Sequence, residues 1–255
     1  MTIFLGIDIG GSGIKGAPVD LTTGTLIADR LRIPTPAKST PENVAAVVKT
    51  IIDHFAPVAG DANVGIAIPG PVVHGTITFM ANLHQDWVGI NADALFTEIL
   101  GRNATLVNDA DAAGLAEVKF GAANDHPGLV LVTTLGTGIG SAIVYRGVLI
   151  PNTELGHLEI DGHDAETRAA SSVKDREGLS YKKWSERLQR YYSHLEMLFS
   201  PDLFVVGGGV SSDWDKFGPL LDLRTPMVPA QLRNKAGIIG AALAAQDALL
   251  HPEAH

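Results

Sequence analysis

The chain has 255 residues, 45% hydrophobic and 18% charged, with a formal net charge of −9. That length can bury one large core or two lobes of about 100–150 residues, and the acidic balance argues against nucleic acid as a partner. The absence of cysteine excludes disulfides, thiolate zinc and a cysteine nucleophile, and fits a cytoplasmic location.

Residues 3–9, "IFLGIDI", read as a strand buried on both faces, with no basic leader before it and no apolar run of the ~18 residues that would span a membrane. The turn "GGSG" follows, then a second strand at 14–20 and a third at 24–33, "GTLIADRLRI", in outline an antiparallel meander. Residues 41–55 predict a helix. Thr40 can cap it, Pro41 suits its first turn, and Val44, Val47, Val48, Ile51 and Ile52 recur at helical spacing. A strand at 63–70, a helix at 92–100, a strand at 103–107 and a helix at 109–119 come next. After Pro127 the strand, glycine turn, strand pattern returns over 129–149, a weak internal duplication that suggests two related lobes. Residues 180–199 predict a long amphipathic helix, 202–209 a strand ending in glycines, and 236–250 a helix of small residues. The expected division is a smaller α/β lobe at 1–107, with the last helix packed back on it, and a larger α/β lobe at 108–235.

Two segments carry the clearest chemical signal. "DIGGSGIKG" (8–16) and "TLGTGIGSA" (134–142) each place bare backbone N–H groups at a strand-to-strand turn, which suits phosphate oxygens. Neither opens a helix, as a dinucleotide-binding loop must, and neither has the lysine pattern of a Walker loop. One alone would be an ordinary hairpin turn. Two, with Asp8 opening the first and Thr134 and Thr137 in the second, favour phosphate. A third segment, residues 154–166, gathers Glu154, His157, Glu159, Asp161, His163, Asp164 and Glu166, which fits a metal site, a sugar site or a polar loop.

The phrases "GIDIGGSGIKG", "VNDADAAGLAE", "LGTGIGSA", "ELGH" and "VVGGGVS" resemble the repressor–ORF–kinase (ROK) family of sugar kinases, and the likeness runs from residue 3 to about residue 245. It implies a two-lobed actin/hexokinase-like α/β fold, of the duplicated ribonuclease H-like type, with a cleft between the lobes. Within the family, "ELGHLE" and "HLEMLFSPDLFVVGGGVS" point to the branch that phosphorylates glucose with inorganic polyphosphate, with ATP as a second donor. Another hexose such as mannose, or an amino sugar, with ATP as donor, is the alternative.

The resemblance assigns Asp109 as general base for the sugar 6-hydroxyl. It places Gly70, Asn82, Asn108, Glu154, His157 and Glu166 on the sugar, with Glu159 as the other candidate for the last role. On the residues alone, Asn108 or Asp109 could instead simply cap the helix that follows. The donor side takes Asp8, Gly10, Gly11, Ser12, Gly13 and Lys15, then Thr134, Gly136, Thr137 and Gly138, and finally Gly208 and Gly209. Asp8 also matches the family carboxylate that reaches magnesium through water. Many members carry a cysteine-rich zinc motif after the "E-x-G-H" segment. Here those cysteines are missing, so the resemblance implies magnesium but no zinc, with His157 a hydrogen-bonding group. A residual zinc site from His157, His163 and a carboxylate stays open. Trp87 reads as packing rather than pocket wall, and a homodimer is implied by likeness only.

Two rival classes fit less well. A sugar-responsive repressor is expected to carry a helix-turn-helix before the first strand, and a nicotinamide oxidoreductase needs a helix after each glycine loop. On the 180–199 helix, Lys183, Arg187 and Arg190 share one face. With Lys182, Lys174 and Arg176 they could form a track for polyphosphate, or they could be an ordinary solvated face that Glu186 partly neutralises.

Overall fold

The structure, a computed structural model, describes residues 2–251. The chain packs as two compact units, one made of the residues up to Ala116 and from Lys235 onward, the other of Glu117–Asn234.

In the first unit β1 (Ile3–Gly10) and β2 (Gly13–Asp20) form a hairpin, antiparallel from Ile3↔Asp20 to Gly10↔Gly13. The expected third strand is two pieces, β3 (Thr25–Leu26) and β4 (Leu31–Ile33), which pair with opposite ends of β2. Between the two pieces the chain leaves the sheet, and Asp29 and Arg30 are exposed. α1 (Pro41–Ala59) begins at Thr40, whose hydroxyl accepts the Asn43 N–H at 3.5 Å, and buries Val44, Val48, Ile51, Ile52 and Phe55 along one stripe. It runs past the expected end at residue 55, with Pro57 in its last turn, to Gly60, whose N–H donates to the Ala56 carbonyl at 2.9 Å. β5 (Val64–Ile68), the small hairpin β6 (Val72–Val73) and β7 (Thr76–Ile77), α2 (Ala92–Leu100), β8 (Ala104–Asn108) and α3 (Asp109–Phe120) follow. The sheet order is β3-β2-β1-β5-β8, with β4 also on β2, and β1, β5 and β8 run parallel.

The second unit starts with another hairpin, β9 (Leu129–Leu135) and β10 (Ile139–Tyr145). The expected strand 141–149 turns back at Arg146 and Gly147, both at positive φ, so that β11 (Val148–Ile150) pairs antiparallel with β10. Then come the two-residue strands β12 (Glu159–Ile160) and β13 (His163–Asp164), α4 (Glu166–Ala169), α5 (Ser171–Arg176), α6 (Tyr181–Phe199), β14 (Leu203–Gly207), α7 (Trp214–Phe217) and β15 (Met227–Pro229). The sheet order is β11-β10-β9-β14-β15, with β14 parallel to β9. The inferred duplication is therefore visible in the pairing: hairpin β1/β2 with parallel β5 in one unit, hairpin β9/β10 with parallel β14 in the other.

The chain returns to the first unit with α8 (Ala236–Leu250), which lies on β1, β5 and β8. The approach is backbone to backbone: a Cβ at Gly6 would strike the carbonyl of Ile238, and one at Gly65 the carbonyl of Ala241. That explains why the helix is built of alanine and glycine. No helix among the described residues is long and apolar enough to cross a membrane.

Candidate active site

In the first unit the turn at Gly11 and Ser12 joins β1 to β2 without a helix, as expected. Three neighbouring strands set three charges side by side around it, through the register pairs Asp8↔Lys15 and Lys15↔Arg32. Lys15 Nζ lies 3.2 Å from Asp8 Oδ2. Arg32 donates from Nη2 to the Ser12 carbonyl at 2.8 Å, and a Cβ on Gly13 would come within 2.6 Å of its guanidinium. Sequence reading did not single out Arg32, because its register on β2 depends on the break at residues 27–30. The Asp8 carboxyl also lies against Gly237, at the N-terminal end of α8. Asn82 is exposed and its backbone sits beside Gly11, so a residue expected on the sugar and one expected on the donor are neighbours. Gly70 is buried against the Phe79 carbonyl. Trp87 is fully buried, donates to the Ser39 carbonyl at 2.9 Å and stacks on Phe96.

At the junction of β8 and α3, Asn108 Oδ1 accepts the N–H groups of Ala110 (2.8 Å) and Asp111 (3.1 Å). Asn108 is thus the helix cap. Asp109 is half-buried in the first turn of α3.

In the second unit the two donor-side glycine segments meet. Gly207 pairs with Thr134, and Gly208, at φ 81°, lies against the Leu135 backbone where a side chain would clash. The turn at Gly136–Gly138 is braced by hydroxyls: Ser171 donates to the Gly136 carbonyl at 3.0 Å and Ser172 to that of Thr137 at 2.6 Å. Thr137 at its tip is exposed. Glu166 faces the same turn. Its Oε2 accepts the Ile139 N–H at 3.0 Å, and a Cβ on Gly138 would strike that oxygen.

The 154–166 segment is tied to the same strand. Ser141 Oγ accepts the Leu155 N–H at 2.9 Å, and Gly156 packs on the Ile139 carbonyl. His157 Nδ1 and Asp164 Oδ2 are 2.9 Å apart, while Asp164 Oδ1 accepts the Glu166 N–H at 3.2 Å. Asp164 therefore links His157 to Glu166, a function that sequence reading missed, because it follows from the short β12/β13 pairing that sets Asp164 opposite Glu159. The hydrogen bond to Asp164 raises the His157 pKa above the ordinary imidazole value, against a lowering from partial burial; Glu166 and Glu154 add to the rise. Burial raises the Glu154 carboxyl, and Glu166 adds to that, with His157 opposing. Oxygen and nitrogen atoms of His157, Asp164 and Glu166 lie within 4.8 Å of one another, a spacing that a metal ion could use. His163 is not in that group: it is exposed, and its Nε2 takes a hydrogen bond from Arg168 at 2.7 Å. Glu159 is exposed.

The proposed basic track on α6 is largely spoken for. Arg187 pairs with Glu177 at 2.6 Å and Arg190 pairs through two nitrogens with Asp161 at 2.8 Å, so distant acids rather than Glu186 neutralise the face. Lys174 is paired with Asp175 at 2.7 Å.

The ROK family model matches residues 4–172. The chain is 50% identical over 240 residues to a polyphosphate glucokinase of Mycobacterium tuberculosis, covering 94% of this chain and 89% of that one. It superimposes with a TM-score of 0.92 on an inorganic polyphosphate/ATP-glucomannokinase from Arthrobacter sp. strain KM, at 52% identity over 96% of this chain and 99% of the other. A ROK glucokinase from Streptomyces griseus, solved with glucose and AMPPNP, shares the fold at TM-score 0.83 and 23% identity. Both the matched residues and the duplicated hairpin–parallel-strand pairing lead to one conclusion: this chain belongs to the ROK family and has its two-lobed actin/hexokinase-like fold.

Proposed function

We propose that the chain is a hexose kinase that transfers a phosphoryl group from inorganic polyphosphate, or from ATP, to the 6-hydroxyl of glucose. The observation that carries this is the 50–52% identity, over nearly the whole chain, to enzymes named for that chemistry. Asp109 is the general base. With the cap supplied by Asn108, its carboxylate takes the hydroxyl proton as the oxygen attacks phosphorus. Family likeness assigns Gly70, Asn82, Asn108, Glu154, His157 and Glu166 to the sugar. The pKa of His157 keeps the imidazolium available as a donor to a sugar oxygen at higher pH than usual.

Family likeness assigns the glycine turns at 10–13, 136–138 and 208–209, with Ser12, Thr134, Thr137 and Lys15, to the donor, and their backbone N–H groups suit phosphate oxygens. Asp8, a single carboxylate with a lysine beside it, fits a magnesium ion held through water rather than by a protein cage. Magnesium would supply screening of the phosphate charge there. Zinc is not part of this reading: His157 and Glu166 already have partners in Asp164 and Ile139. A homodimer in the cytoplasm is assigned by family likeness.

The test is an activity grid of glucose, mannose and N-acetylmannosamine against polyphosphate and ATP, with Asp109→Asn beside the wild type. Glucose with polyphosphate should be turned over, and the variant should bind glucose yet lose about 10²–10⁴-fold in kcat. Near-normal turnover by Asp109→Asn would remove it as the base. Mannose is the second acceptor to look for, since the Arthrobacter relative is named a glucomannokinase.

A further inference from the structure

We infer that Arg32 is a donor-binding residue, whose guanidinium holds the phosphates that lie behind the transferred one. The inference rests on the kinase reading and adds a residue to it.

The argument is one of charge and position. Asp8, Lys15 and Arg32 stand in a row across β1, β2 and β4. Lys15 is committed to Asp8 at 3.2 Å, so those two charges cancel at short range. Without Arg32 the first glycine turn would offer backbone N–H groups but no surplus positive charge. Arg32 supplies it. Among the described residues no carboxylate pairs with it, and its one hydrogen bond is to the neutral Ser12 carbonyl at 2.8 Å. A guanidinium carries five N–H groups in a fixed fork, so that bond leaves others to meet phosphate oxygens. The side chain is exposed and lies over Gly13, at the turn itself. Asp8 marks one end of the row and Arg32 the other. A donor whose reacting phosphate is near Asp8 would therefore lay its following phosphates towards Arg32. Both polyphosphate and ATP have such phosphates. The basic residues on α6 are a poorer choice, because Arg187 and Arg190 already carry acidic partners.

The test compares wild type, Arg32→Gln and Arg32→Lys for KM of polyphosphate, ATP and glucose, for kcat, for the salt dependence of the polyphosphate KM, and for Tm. Direct binding of inorganic tripolyphosphate by calorimetry gives a readout apart from turnover. Arg32→Gln should raise the KM of both donors about tenfold or more, the loss of a charge-assisted contact. It should weaken tripolyphosphate binding in step and flatten the salt dependence, with glucose KM and Tm unchanged. Arg32→Lys should fall between, keeping the charge without the fork. A lowered Tm with donor KM and tripolyphosphate binding unmoved would make Arg32 a brace for Ser12 only, and would overturn the inference. Unchanged behaviour of Arg32→Gln throughout would overturn it as well. Wild-type protein that phosphorylates no hexose with either donor would instead sink the kinase reading, and this inference with it.

Discussion

The turn at Gly10–Gly13 and the turn at Gly136–Gly138 each close an antiparallel hairpin whose first strand also pairs in parallel with a third. In the sequence they look like two copies of one device. Their surroundings differ in sign. Over the first turn lie Lys15 and Arg32; over the second lies Glu166, which takes the Ile139 N–H, while Ser171 and Ser172 donate to the turn's carbonyls. A carboxylate on a phosphate loop would repel the donor unless its charge were turned to another use, and Glu166 also joins Asp164 and His157. Glycine spacing therefore specifies a backbone shape. What that shape binds depends on side chains brought in from elsewhere in the chain.

The largest effect that would sharpen this contrast is expected at Glu166 itself. Glu166→Ala removes the acceptor for Ile139 and the proposed sugar contact together, and kcat/KM for glucose should fall about 10²-fold, the scale of two charge-assisted hydrogen bonds. Donor KM should move much less; an equal rise in donor KM would mean the two turns do the same work.

A matched pair of glycine replacements comes next. A Cβ on Gly13 meets the end of the Arg32 side chain, and one on Gly138 meets the end of Glu166, both flexible enough to yield. Gly13→Ala should therefore raise donor KM, and Gly138→Ala glucose KM, each by about tenfold, with the fold intact by circular dichroism. The reverse assignment would break the comparison.

A smaller effect is expected in pH. The Asp164 hydrogen bond raises the folded pKa of His157. Its contribution to stability is full below the unfolded imidazole value near 6.5 and is lost as pH rises through the folded value. Asp164→Asn should lower the imidazole titration followed by NMR. The Tm gap between wild type and variant should be larger at about pH 6 than at about pH 9. An unmoved imidazole titration would remove Asp164 as the link.

The smallest change belongs to α6. Replacing Lys183, Arg187 and Arg190 together with Gln should alter the polyphosphate KM by less than about twofold, since Arg187 and Arg190 are already paired with acids and Lys183 is a solvated surface charge. A selective rise of tenfold would restore the helix as the polyanion path.

Much of the fold could be read from local pattern, because local pattern is what makes it. The apolar runs at β1, β5 and β9 have both faces covered, and the glycines that follow β1 and β9 mark the tight turns. Thr40 and Pro41 start α1 as their chemistry requires. Pairings that depend on register or on distance were not legible. Arg32 could be placed on Lys15 only once the strand broke at Asp29 and Arg30. Arg190 meets Asp161 and Arg187 meets Glu177 across intervening structure, so two of the three charges that helical spacing puts on one face are paired in the folded chain. Asn108 and Asp109 were equal candidates for the cap until two N–H bonds chose Asn108.

The position of α8 has a consequence for how the chain is made. One unit is continuous, Glu117–Asn234, and can form as soon as it leaves the ribosome. The other waits for α8 to be synthesised, since Gly6 and Gly65 are shaped to receive the backbone of Ile238 and Ala241. Until then the apolar face of β1, β5 and β8 stays open and sticky, and Asp8 lacks the helix end against which its carboxyl rests. A chain that stops short at residue 234 should be aggregation-prone and bind no donor, however well its middle has folded. The glycine turn at Gly10–Gly13 becomes competent only when α8 is in place.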